Sequence, residues 1–185
     1  SVKLAIAAGL VIGSASFTLP AFADENATTA DMDVTASIAV ACTLETLDVA
    51  FGTYDALGTN KTAPLKASGS ITATCTSGAS GKITISEGGN KVDGMDTGVP
   101  NSTPALPLRQ MMTDQTAGAG QSKYLKYTLH ETDDASSTQW NGTTGVTYVS
   151  AGADVVKTVY GFIPKNQTTS MKGSYSDKVQ VSVTY

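Results

Sequence analysis

Histidine, cysteine, tryptophan and charge are all scarce in this chain, and each scarcity removes a class of function. His130 is the only histidine among 185 residues, and Cys42 and Cys75 are the only cysteines. That donor set is too small and too widely spaced for a zinc site. Charged residues make up 15% of the chain and the net charge is -4. No basic stripe for phosphate contacts exists, so nucleic acid is not an expected partner. Long apolar runs with a 3.6-residue period are missing too, which leaves helix a minor part.

Catalytic constellations are equally thin. His130 falls on the strand face opposite Leu125, Tyr127 and Leu129, and is expected to be an exposed surface residue rather than a general base. Ser176 and Asp177 follow a tight turn at Gly173, but no histidine stands at a triad spacing and no nucleophile elbow is present. Gly78-x-x-Gly81-Lys82 is too short for a phosphate loop and reads as a turn before Ile83 and Ile85. Asp93 and Asp96 lack the alternating ligands of a calcium loop. The expectation is therefore no enzyme, no catalytic residue, no cofactor and no metal. Asn-x-Ser/Thr triplets begin at Asn26, Asn60, Asn101, Asn141 and Asn166, as a chain rich in Asn and Thr produces by composition. Trp140 and the scattered tyrosines read as core or rim residues rather than a sugar platform.

What is present is a set of short strands behind an export signal. Lys3, the apolar stretch from Leu4 to Gly13 and the small-x-small site Ala21-Phe22-Ala23 mark residues 1–23 as a signal peptide. Export leads to an oxidising compartment, where two cysteines suit one Cys42–Cys75 disulfide closing a loop of about 33 residues. The alternative is two separate buried thiols. Expected strands are Met32–Ala41, Leu47–Phe51, Ser68–Cys75, Lys82–Ser86, Tyr124–His130, Val146–Ser150, Val155–Ile163 and Lys178–Tyr185, with Leu108–Met112 as a short edge strand in a long excursion over residues 87–122. Gly, Asn and Ser turns between them point to an all-β sandwich of one domain. Two segments alternate most cleanly. Met32, Val34, Ala36, Ile38 and Val40 share one face ahead of Cys42, and Val179, Val181, Val183 and Tyr185 share another at the end, with no polar tail after them.

A series of blocks in fixed order carries a family resemblance: Cys42 with Phe51-Gly52-Thr53-Tyr54-Asp55, Gly69-Ser70-Ile71-Thr72-Ala73-Thr74-Cys75, Tyr124-Leu125-Lys126-Tyr127-Thr128-Leu129, Trp140-Asn141-Gly142, Tyr160-Gly161-Phe162-Ile163-Pro164, Gly173-Ser174-Tyr175-Ser176-Asp177-Lys178 and the last strand. Together they resemble the spore coat protein U family, which includes the pilins of archaic (Csu-type) chaperone-usher pili. The resemblance implies an incomplete immunoglobulin-like sandwich, residues 42–185, whose missing strand is supplied by a neighbouring subunit. It assigns residues 24–41 to an N-terminal donor extension, with Met32, Val34, Ala36, Ile38 and Val40 as the donor face. Val179, Val181, Val183 and Tyr185 become the final strand beside the acceptor groove. The implied partners are identical or related pilin subunits, a periplasmic chaperone and an outer-membrane usher. The implied location is a fimbria outside the cell, serving attachment and biofilm formation, and one domain behind one donor segment is the form expected of a shaft subunit. Two other readings stand beside it: a spore or cell coat protein, and a monomeric secreted carbohydrate-binding sandwich that keeps Met32–Val40 in its own sheet.

Overall fold

Alternation builds the longest strand, Leu65–Cys75 (β2), in which Ile71, Ala73 and Cys75 face the core while Ser70, Thr72 and Thr74 stay half-buried. Threonine on the outer face suits a pleated surface. The computed structural model describes residues 28–93 and 100–185. In it β2 is flanked by Cys42–Leu47 (β1) and Asp154–Ile163 (β7). Tyr124–His130 (β5) and Arg109–Met112 (β4) complete an antiparallel sheet in the order β1-β2-β7-β5-β4. A second antiparallel sheet places Val146–Val149 (β6), Ser80–Ile85 (β3) and Val181–Thr184 (β8) in the order β6-β3-β8. One helical turn, Thr59–Thr62 (α1), lies between β1 and β2.

The core fills the space between the sheets. Ile71, Ala73, Leu125, Leu129, Val159 and Ile163 come from the larger sheet, and Ile83, Ile85 and Tyr148 from the smaller. Trp140 joins them from the loop before β6, and its indole Nε1 donates to the Ile83 carbonyl at 2.9 Å. Burial removes that ring from any sugar-binding surface. Cys42 and Cys75 stand opposite each other in the β1–β2 register and are joined by a disulfide.

The all-β sandwich expected from the sequence is the observed fold, and three local expectations are corrected. Residues 28–41, including the expected Met32–Ala41 strand, form no strand. The chain instead enters the larger sheet at Cys42, so that β1 covers Cys42–Leu47, and residues 48–51 of the expected Leu47–Phe51 strand are not in a ladder. His130 is buried, with only 1% of its surface exposed. The loop after β5 folds back and pairs Gln139 with His130, so the strand's last residue is covered on both sides. Its Nδ1 lies 3.1 Å from Ser137 Oγ, its Nε2 lies 2.9 Å from Thr128 Oγ1, and Phe162 packs edge-on at 5.3 Å. The expected signal peptide over residues 1–23, Asn26 and Asp96 lie outside the described residues.

Candidate functional site

The sandwich is open along one side. β1 pairs only with β2, and β8 pairs only with β3, so each strand has one edge of backbone N–H and C=O groups without a ladder partner among the described residues. Between these edges runs a cleft of about 1110 Å³. One wall is Leu44–Phe51, and the other is Tyr175–Val179 together with Val181. The floor is core: Ile71, Ile85, Leu129 and Val159 line it from both sheets. An apolar floor beside free strand edges is the combination by which sheets take up an added strand.

Particular residues hold each wall in place. Residues 48–51 lie over β7 because position 161 is glycine, where a Cβ would stand 2.6 Å from Val49 Cγ1 and 2.7 Å from Phe51 Cζ. At one end of the cleft Met112 and Ser176 exchange backbone hydrogen bonds of 3.0 and 3.1 Å. Asp177 fixes the wall there. Its Oδ1 accepts from the backbone N–H groups of Gly89 and Asn90, each at 3.0 Å, and its Oδ2 accepts from the Tyr127 hydroxyl at 2.7 Å. Burial, reinforced by that bond, pushes the Tyr127 phenol far above its ordinary range. Ser176 and Asp177 are thus wall residues of the cleft.

Arg109 ties the two sheets together at the same end. Its side chain is 1% exposed, and it donates to the carbonyls of Ser86, Ile85 and Trp140 at 2.9, 3.0 and 2.7 Å. Desolvation lowers its pKa to about 10, so it remains cationic at neutral pH. Arg109, Asp177 and the 48–51 wall were not legible from spacing. The one signal for Arg109 was a charge set in the apolar run from Leu106 to Met112.

Of the residues expected to border the groove, Val179 and Val181 line the cleft. Val183 is half-buried opposite Ile83 and Tyr185 is 62% exposed, and neither lines it. Of the donor face, Met32, Val34 and Ile38 are 86%, 89% and 85% exposed, and Val40 is 47% exposed. Ala36 is exposed as well.

The model of the Spore Coat Protein U domain matches residues 28–182. This chain belongs to that family. Among the described residues, the spore coat U domain comprises the sandwich, its cleft and the exposed segment preceding it. No curated protein matches the chain. Among solved structures it is similar to a chain of the CsuC–CsuE chaperone–tip adhesion subunit pre-assembly complex from the archaic chaperone-usher Csu pili of Acinetobacter baumannii. The identity is 17% and the TM-score 0.49, over 80% of this chain and 40% of that one. At that level the likeness adds nothing to the family assignment, which rests on the domain match.

Proposed function

We propose that this spore coat U protein is a non-enzymatic structural subunit of a bacterial surface pilus, assembled by donor-strand exchange in a chaperone-usher pathway. The cleft carries the reading. It is an extended slot with an apolar floor and two free strand edges, and the same chain bears an extended apolar segment with no strand of its own. Met32, Val34, Ala36, Ile38 and Val40 of one subunit would fill the cleft of the next, between β8 and Leu44–Phe51. Val179 and Val181 contribute to its wall, and Val183 and Tyr185 extend the same strand.

Magnitudes favour such a joint. Burying Met32, Val34, Ile38 and Val40 transfers about 6 to 12 kcal/mol of apolar side chain out of water, before two rows of backbone pairing are added. That is comparable to the whole stability of a domain. An unfilled cleft exposes strand edges and core, so a periplasmic chaperone that lends a strand and an outer-membrane usher that exchanges it are the partners this reading requires. Polymerisation then needs no nucleotide, and the product is a fimbria outside the cell serving attachment and biofilm formation.

Ile38→Arg tests it. The exposed side chain contributes nothing to its own fold, but a charge forced into a neighbour's cleft is costly. Electron micrographs should show fibres on wild-type cells and none on cells carrying the variant, with the exported subunit still soluble. Normal fibres from Ile38→Arg would overturn the proposal.

A further inference from the structure

We infer that Thr76 holds residues 39–41 as an extension of β1, and so commits the segment before them to a second copy of this chain rather than to its own cleft. The inference rests on the donor reading above and concerns how self-insertion is avoided. Cys42 pairs with Cys75 at the end of the β1–β2 ladder. One step further out the ladder continues, with the Thr76 N–H donating to the Ala41 carbonyl at 2.9 Å. The Thr76 hydroxyl then makes a clamp. Its Oγ1 accepts from the Ala41 N–H at 3.1 Å and donates to the Ala39 carbonyl at 3.3 Å, with the Ala41 carbonyl a second acceptor at 3.4 Å. Residues 39–41 are thereby held as a continuation of β1, and the disulfide one residue on secures the base of the clamp.

Self-insertion requires the opposite geometry. The segment would have to reverse at residues 39–41 and run back antiparallel along the free edge of β1. A tight reversal needs positive φ at one or both central positions, which Gly, Asn and Asp supply. Ala39-Val40-Ala41 offers none of these, and Val40 is β-branched. The reversal would also break both bonds of the Thr76 hydroxyl. Chain stiffness and the clamp therefore act in the same direction, and Thr76 is a positioning residue for donation between subunits.

The experiment compares the full chain with Thr76→Val, Thr76→Ser, and a triple variant adding Val40→Asn and Ala41→Gly to Thr76→Val. Each is refolded under oxidising conditions at equal concentration without chaperone, and sizing gives the ratio of monomer to polymer. A fluorescent peptide of residues 30–41 reports whether the monomer's cleft is open. Wild type and Thr76→Ser should form polymers. Thr76→Val should raise the ratio of peptide-refusing monomer to polymer by about fivefold, the factor expected for one net hydrogen bond. The triple variant should be mainly closed monomer. If both valine variants polymerise like wild type, or melt lower with no change in the ratio, Thr76 is only structural and the inference is wrong. Failure of the donor reading looks different: wild type itself would stay monomeric and ignore the peptide.

Discussion

Two segments of this chain carry the same pattern and meet different fates. Val179–Tyr185 alternates apolar and polar residues, and its central part pairs with β3. Met32–Val40 alternates as cleanly yet forms no strand, with Ile38 85% exposed. The contrast teaches that period-2 alternation encodes fitness for a sheet and does not say which molecule supplies that sheet. Among the described residues one edge of β8 is unpaired, and the proposed function places Met32–Val40 of another copy there.

The largest effect should come from joining the two segments in one molecule. Moving Met32–Val40 from the N-terminus to a flexible linker after Tyr185 lets it reverse and lie beside β8, and linkers of this kind lengthen at small entropic cost. The product should be a soluble monomer that needs no chaperone, more stable by several kcal/mol out of the roughly 6 to 12 of side-chain transfer. Thermal melting and sizing read the outcome, and a permuted protein no more stable than one lacking residues 24–41 would contradict that placement.

Next in size is the disulfide that joins the start of β1 to the end of β2. Cys42→Ser with Cys75→Ser removes a cross-link between residues 33 apart, which the chain-entropy model values at about 3 to 4 kcal/mol. Denaturant melts should report that loss. Peptide mapping of the exported wild-type protein under non-reducing conditions should find the Cys42–Cys75 linked peptide.

A smaller loss is expected at the Asp177 end of the cleft. Tyr127→Phe deletes the donor to the half-buried Asp177 Oδ2 and should cost about 1.5 to 3 kcal/mol, the range for a hydrogen bond to a charged group. The substitution loosens the wall at Asp177 and leaves the N-terminal segment untouched. Binding of a donor peptide should weaken with it.

The smallest effect is a pH dependence set by His130. Burial, the main cause, lowers its pKa, and Arg109 acts in the same direction, while hydrogen bonds to Ser137 and Thr138 and the charge of Asp134 oppose the shift. With the folded pKa below the unfolded value of about 6.5, the unfolded chain takes up the proton first. Stability is then fully present above about pH 6.5 and declines as the pH falls toward the folded pKa. Melts from pH 7.5 to 5.5 should show this slope in wild type and lose it in His130→Gln.

Much of this was legible in the sequence, and the exceptions share a cause. β5 was expected over Tyr124–His130 and is found there, because Leu125, Tyr127 and Leu129 all face the core. β4 was placed within one residue, since prolines exclude a strand before Leu108. What alternation could not reveal was set by contacts distant in sequence. His130 is covered by a loop that returns to it, and residues 48–51 form a wall because Gly161 admits Phe51. Asp177 earns its place through Tyr127, 50 positions away. The exposed state of Met32–Val40 was legible only through the family resemblance, because its pattern alone equally suits an ordinary first strand.

Donor-strand completion is tested by refolding the chain lacking residues 24–41 with and without a synthetic peptide of residues 30–41. The peptide should convert an aggregation-prone chain into a soluble complex with one cooperative melt, and the same peptide carrying Ile38→Arg should not. A truncated chain that folds and melts equally well without the peptide would contradict it.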